Sequence, residues 1–365
     1  MANLGLPGIT IDFKGLGTSA VDRGEKGTAV LIIKDDTDTT FTFAEYASVS
    51  DLTSTEEAKY TADNLEYIND VLEGTPLNLI VARMGTLDSL NDLLNSIKGY
   101  VPRNCWIAMA DGDTDNHDAI VSFVKSQVTN NYKRYKALVY DATVTDDMHI
   151  VNFTNTYVTF ADDRGKVSGN KAVPWLLGLL SGLSLSLSVI SKSLTIFDSV
   201  TEPDDLEAAV NAGQFVLYND EGTVKVARGV NSLITTGDNV TDDMKFILIV
   251  ETMDLIYCDL YDTWKNSYKG KYKNYMDNQL LLVGAINAYF EGLETDLLLD
   301  PNYDNEAEID VETQRLANVS KYGTETVNGW SDEEAMAMTY GTQVYLTANI
   351  KILNAMEDFT FTLYM

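Results

Sequence analysis

The sequence is short of histidine, cysteine, proline and positive charge. Among 365 residues there are two histidines, two cysteines, six prolines and 26 lysines or arginines, against 55 acidic side chains, for a formal net charge of −29. Each shortage excludes something. Two histidines, His117 and His149, leave little for imidazole-based catalysis or a histidine-rich metal centre, and the G-x-S-x-G, H-E-x-x-H and C-x-x-C patterns are all missing. Each histidine neighbours several carboxylates in loop-like sequence, which predicts surface positions. Two cysteines cannot form the disulfide framework of a secreted scaffold. Cys105 and Cys258 sit in apolar contexts that predict buried, reduced thiols, with a single long-range pair left open. The scarcity of Lys and Arg removes the counterion-release drive for nucleic-acid binding and disfavours anionic membrane surfaces. The opening Met1–Gly8 has neither a basic region nor an apolar core of signal-peptide type, so residence in a cytoplasm is expected.

What is present is a folded composition, 45% hydrophobic and 10% aromatic, on a chain long enough for more than one core. The stretch Ala172–Ile190 is uncharged and carries Gly178 and Gly182 at G-x-x-x-G spacing. Pro174, the glycines and several serines dilute it as a membrane span, and from Leu183 the pattern becomes strict Leu-Ser alternation. A buried helix followed by a strand is the reading.

Along the chain, Ile9, Ile11 and Phe13 alternate with polar residues as a short strand, followed by a glycine-rich linker and a buried-strand run over Thr28–Lys34. Residues 37–98 read as a small α+β unit with strands at Thr39–Phe43 and Leu77–Ala82 and a helix over Thr55–Leu72. From Cys105 the order strand (Trp106–Ala110), helix (Ala119–Val128), strand (Lys136–Tyr140), strand (Tyr157–Phe160), helix (Ala172–Leu180), strand (Leu194–Phe197), helix (Asp204–Ala212) predicts an open α/β sheet. A hairpin follows around Asn219-Asp220-Glu221-Gly222. Two long helices are predicted, one starting at Thr241 and one over Met276–Leu293. The acidic block Asp296–Glu312 reads as an exposed loop. The C-terminus is β again, with an alternating run over Val344–Ile352 and a last strand Phe359–Met365.

Candidate chemistry is thin. Gly15-Leu16-Gly17-Thr18-Ser19-Ala20 imitates a dinucleotide fingerprint, but too few residues follow for the crossover helix that would hold a pyrophosphate. Asp111, Asp113 and Asp115 imitate the start of a calcium loop, yet Asn116 and Ser122 occupy the turn-glycine and bidentate-glutamate positions, so a helix-capping loop is the better reading. No catalytic residue, metal or cofactor is assigned. Lys265, Lys269, Lys271 and Lys273 interleave with Tyr268 and Tyr272 without an acid. In so acidic a chain they are either a docking surface for an acidic partner or the solvated end of a helix. The terminal strands could pair within their own sheets or with an open edge on another subunit.

Several segments then carry a resemblance. Gly5-Leu6-Pro7-Gly8-Ile9-Thr10-Ile11 with Phe13-Lys14, Arg23-Gly24-Glu25-Lys26-Gly27 leading into Val30–Asp35, Ala227-Arg228-Gly229-Val230-Asn231-Ser232-Leu233, Asn278–Leu281 with Gly284–Asn287, and the terminal β segment occur in order from end to end. Together the sequence resembles the contractile tail sheath proteins of phages and phage-tail-like bacteriocins, of the short type in Gram-positive bacteria. The resemblance implies a central α/β domain of subtilisin-like topology without a catalytic triad. It implies a division into an N-terminal arm and linker (1–28), a small α+β domain (29–98), the subtilisin-like domain (99–235), a tube-facing C-terminal α+β domain (236–357) and an arm strand (358–365). It also implies arms, carried here by Ile9, Ile11 and Phe13 and by Phe359, Phe361 and Leu363, that add strands to neighbouring subunits. For the flexing this implies, Gly15, Gly17, Gly24 and Gly27 are the hinge candidates, and Lys265, Lys269, Lys271 and Lys273 are the candidates for the tube contact.

The implied function is structural, not enzymatic. Stacked hexameric rings surround a tail tube and contract, driving the tube through a target envelope, with the tube, baseplate and tail terminator proteins as partners. The protein would be assembled in the bacterial host cytoplasm as part of a virion tail or phage-tail-like particle. Nucleic-acid binding and membrane insertion are not expected. A carboxylate-using α/β hydrolase and a self-assembling surface-layer-type protein are the rival readings.

Overall fold

A computed structural model describes residues 27–143 and 145–365. In chain order the strands are β1 (Thr28–Lys34), β2 (Phe43–Tyr46), β3 (Asn78–Met84), β4 (Asn104–Met109), β5 (Arg134–Tyr140), β6 (Ile150–Phe153), β7 (Tyr157–Phe160), β8 (Lys166–Ser168) and β9 (Phe197–Val200). They continue with β10 (Gln214–Phe215), β11 (Leu217–Asp220), β12 (Thr223–Val226), β13 (Glu306–Ile309) and β14 (Leu346–Asn349). The principal helices are α1 (Ala62–Glu73), α2 (Leu90–Tyr100), α3 (Thr114–Asn131), α4 (Val173–Gly182), α5 (Leu206–Asn211), α6 (Ile247–Thr263), α7 (Met276–Thr295) and α8 (Val311–Tyr322).

The described residues divide into two compact units, one holding 27–258 with Asn354–Met365 and the other Asp259–Leu353. The first is organised by a seven-stranded sheet in the order β10-β6-β5-β4-β1-β3-β2, parallel except where β2 runs against β3. Both faces are covered, which explains why β1 reads as a continuous apolar run rather than an alternation. Ala29, Leu31 and Ile33 pack with Ile68 and Val71 of α1 and Leu176 and Leu177 of α4. Val30 and Ile32 point the other way, against Leu94 and Ile97 of α2 and Ile120 and Val124 of α3. Residues 29–98 and 99–235 therefore contribute strands to one sheet.

The G-x-x-x-G pair has a soluble role. A Cβ on Gly178 would collide with the backbone of Val71, and one on Gly182 with that of Gly74, so α4 lies directly on the C-terminal turn of α1. Among the described residues no helix is long and apolar enough to cross a membrane.

Several expectations are corrected. Leu183–Ser188 is not a strand; it forms turns in which the Ser184 and Ser186 hydroxyls bond each other at 2.9 Å. The block 296–312 is not a loop throughout, since β13 pairs antiparallel with β14 and buries Ala307 and Ile309 between exposed glutamates. The helix expected over Thr55–Leu72 is two pieces, Ser54–Glu57 and α1, each capped by its own threonine, Thr53 and Thr61. The strand expected from Thr39 starts at Phe43.

The unit 259–353 buries Phe290 and Leu293 of α7, Leu299 just after it, and Val327 and Ala335. Buried amides tie this smaller core. Gln314 Nε2 donates to the Ala335 and Met336 carbonyls at 2.6 and 2.9 Å, and Asn318 Nδ2 to the Met338 carbonyl at 2.8 Å.

Candidate functional site

The histidines are not on the surface. His117, on the first turn of α3, is 1% exposed, and burial pushes its pKa down to about 4, so the ring is neutral. It packs so close to Gly112 that a Cβ there would lie 3.0 Å from Nε2. His149, 4% exposed, stands between Asp147, 3.4 Å from Nδ1, and Asp254 of α6, 3.3 Å from Nε2. Burial alone would lower its pKa, but the two carboxylates outweigh it and raise the value to about 9. With a carboxylate on each ring nitrogen, the imidazolium has no nitrogen free to act as a base.

His149 belongs to a buried charge cluster between β5 and α6. Lys136 Nζ donates to Asn104 Oδ1 at 2.6 Å and pairs with Glu251 at 3.0 Å and Asp254 at 3.4 Å. Arg134 Nε reaches Asp254 at 3.4 Å and its guanidinium stacks on the Tyr257 ring. Burial disfavours charge on Lys136, His149, Glu251 and Asp254. The neighbouring carboxylates nevertheless hold Lys136 protonated, and its positive neighbours keep Asp254 ionised, while burial raises Glu251. Cys105 and Cys258 are free and buried, and burial pushes both thiols up to about 12. These are inert positions.

The calcium-like triplet is dispersed by its own local bonds. Asp113 caps α3 by accepting from the Asn116 amide at 2.9 Å, and Asp111 accepts from the Tyr67 hydroxyl at 2.7 Å and pairs with Lys171 at 2.6 Å. Among the described residues no group of three His, Cys, Asp or Glu could hold a metal.

The arm and lysine residues stand apart from these interior groups. Phe359, Phe361 and Leu363 are 87%, 70% and 72% exposed, and residues 353–365 form neither helix nor strand. The expected last strand has no ladder partner in its own chain among the described residues. The Phe359 and Phe361 rings are nearly parallel with centroids 6.1 Å apart, as i and i+2 side chains of extended backbone are placed. Ile9, Ile11, Phe13, Gly15, Gly17 and Gly24 lie outside the described residues. Gly27 is fixed at the entry of β1, its amide donating to the Ser181 carbonyl and its own carbonyl accepting from Leu77.

Lys265, Lys269, Lys271 and Lys273 are all exposed. They lie on a π-helical turn, Trp264–Tyr268, and the loop after it, where Gly270 takes φ +75°. Buried Tyr268 lies tilted against Tyr272 with ring centroids 5.3 Å apart, and Lys271 Nζ donates to the Asn266 carbonyl, which together fix the loop back onto its helix.

Residues 239–365 match the phage tail sheath C-terminal domain. Over 99% of its length the chain is 26% identical to the tail sheath protein of Clostridium phage phiCD119, of which it covers 99%. Over its whole length the chain is thus similar to a tail sheath protein. Sheath likeness extends to the fold. A sheath tail protein from Listeria innocua superposes with TM-score 0.68 at 16% identity, covering 82% of this chain and 92% of that one. The anti-feeding prophage helical sheath in its contracted state gives 0.68 at 11% identity, with 99% of both chains covered. The sheath complex of an extracellular contractile injection system, also contracted, gives 0.60 at 11% identity over 100% and 98%.

The clearest signal that composition could not supply is Arg228. It sits in the Ala227–Leu233 segment and proves to contact the C-terminal segment 130 residues away.

Proposed function

We propose that the protein is the structural subunit of a contractile sheath, polymerising as stacked hexameric rings around a tail tube and shortening to drive the tube through a target envelope. The observation that carries this reading is a strand-like terminal segment whose apolar side chains are exposed, in a chain with unpaired sheet edges to offer. β13 and β14 form a two-stranded sheet; the outer edge of β13 is held by Asn287 of α7, which accepts from the Ala307 amide at 2.7 Å and donates to its carbonyl at 3.2 Å, whereas β14 has one edge without a strand partner among the described residues and three of its four residues are exposed. Open edges template further strands. An arm from a neighbouring copy would gain main-chain hydrogen bonds there and bury Phe359, Phe361 and Leu363 on one face.

In this reading the N-terminal arm, with Ile9, Ile11 and Phe13, makes the second exchange. Gly15, Gly17 and Gly24 allow it to swing, and Gly27 is its fixed end. The sheet unit keeps a subtilisin-like topology as an inert scaffold, and residues 236–357 carry the tube-facing domain. Lys265, Lys269, Lys271 and Lys273 face an acidic tube surface. Baseplate and tail terminator proteins cap the two ends of the polymer, and assembly takes place in the host cytoplasm.

Negative-stain electron microscopy of the full chain over a concentration series, with sedimentation, tests this. Hollow tubes of uniform diameter with sixfold rings are expected, and deletion of 1–14 or 359–365 should leave a folded, unassembled protein. Polymerisation of either truncated form at the full-length threshold would overturn the exchange of that arm. Discrete monomers that fail to coat a supplied tail tube would overturn the sheath reading.

A further inference from the structure

The C-terminal segment is exposed at its tip but held at its root. The holding residue is Arg228, two positions after β12. Its Nη1 and Nη2 donate to the two Asp358 carboxylate oxygens at 3.1 and 2.7 Å, a bidentate fork, while Nε lies 3.2 Å from Glu357 Oε2. The Glu357 side chain is only 6% exposed, and its other oxygen accepts from the buried Ser188 hydroxyl at 2.7 Å. Gly229 makes that approach feasible, since a Cβ there would crowd Ser188 Oγ at 3.2 Å. The guanidinium also lies over the Phe246 ring at 5.4 Å.

Arg228 is itself rigidly mounted. The Ala227 amide donates to Val216, the Asn231 amide to Lys245, the Ile247 amide to Gly229, and the Ser232 amide to Ile150 of β6. Through these bonds the arginine is tied to the seven-stranded sheet.

We infer that Arg228, with Ser188, is the anchor of the C-terminal arm: it holds the chain at Glu357 and Asp358, so that only residues 359–365 are given to a neighbouring copy. The inference rests on the arm-exchange reading for its consequence but not for its geometry. Pull on an exchanged arm enters the fold at the guanidinium fork and passes to the sheet, instead of peeling Asn354–Asp358 away. The clamp thereby sets the length of the donated segment. Arg228 is a positioning residue and touches no partner itself. Of its two halves, the Asp358 fork is solvent-exposed and screened by salt, whereas the Glu357–Ser188 half is sheltered and is not.

The test is hydrogen exchange by mass spectrometry on the unassembled full chain, followed by electron microscopy of the same samples. In Arg228→Gln, exchange over 354–358 should rise about tenfold while that over 361–365 is unchanged. Arg228→Lys, which keeps the charge and loses the fork, should fall between. If Arg228→Gln fails to fold, the double change Glu357→Gln with Asp358→Asn removes the clamp from the C-terminal segment's side and must give the same result. Unchanged exchange over 354–358 would overturn the anchor. Raised exchange with tubes of normal yield and length would overturn its role in setting the donated segment. A wild-type chain that never assembles, with exchange over 354–358 still raised in Arg228→Gln, would fault the arm reading and leave the anchor standing.

Discussion

Thr28–Lys34 and Phe359–Met365 are both seven-residue, strand-forming sequences, and the protein treats them in opposite ways. The interior residues of β1 are fully buried between β3 and β4, with one apolar set facing α1 and α4 and the other facing α2 and α3. The apolar residues of the terminal segment are at least 70% exposed and have no ladder among the described residues. Strand propensity is therefore common to both, and the difference is whether a partner exists among the described residues of the same chain. A segment that has the pattern without the partner spends its apolar surface on something outside the chain.

The sharpest break of this comparison goes through the charges that the sheet unit buries. Lys136→Met should cost about 3–5 kcal/mol in denaturant unfolding, because Glu251 then remains buried without its cation. Recovery of much of that loss in Lys136→Met with Glu251→Gln would identify the uncompensated charge, and not packing, as the cause. Next is Leu31→Ala in β1, where a fully buried side chain leaves a cavity and about 3 kcal/mol should be lost.

A smaller effect comes from His149. Its folded pKa of about 9 lies above the ordinary 6.5, so its contribution is complete below about pH 6.5 and is lost as pH rises through about 9. Stability should fall by on the order of 2 kcal/mol between about pH 7 and pH 10, and His149→Gln should flatten that slope. A wild-type slope that survives the substitution would assign the pH dependence to another group.

How much of this was legible follows the same division between local and distant partners. β1 could be read to the residue, because a parallel strand covered on both faces is apolar throughout and needs no knowledge of its neighbours' identity. The Leu183–Ser188 alternation misled because it satisfies a strand's period while its serine hydroxyls satisfy each other and no second strand lies alongside. β13 was hidden for the converse reason: Glu306 and Glu308 dominate its charge, yet only Ala307 and Ile309 are buried. The histidines were misplaced because their nearby acids suggested solvent. Of the two carboxylates that make burial of His149 tolerable, Asp147 is local but Asp254 lies 105 residues on. Arg228 carried part of the family resemblance with no role attached, since its partners lie at the far end of the chain.

The smallest expected change in stability is the most telling for assembly. Phe361→Ser removes an exposed ring from a segment without secondary structure, so the unfolding midpoint should move by no more than about 0.5 kcal/mol equivalent. The same substitution removes the central apolar side chain of the terminal alternation. If that face is buried on a neighbouring copy, the concentration needed for tube formation should rise steeply, since burying a Phe contributes about 1.5–3 kcal/mol at every subunit junction. Sedimentation of the variant over a concentration series, beside Leu31→Ala, separates the two strands. Leu31→Ala should lose stability while its surviving folded fraction still assembles, and Phe361→Ser should keep stability and lose assembly. Equal loss of both properties in both variants would mean that the terminal segment is an ordinary part of the fold, and the contrast with β1 would collapse.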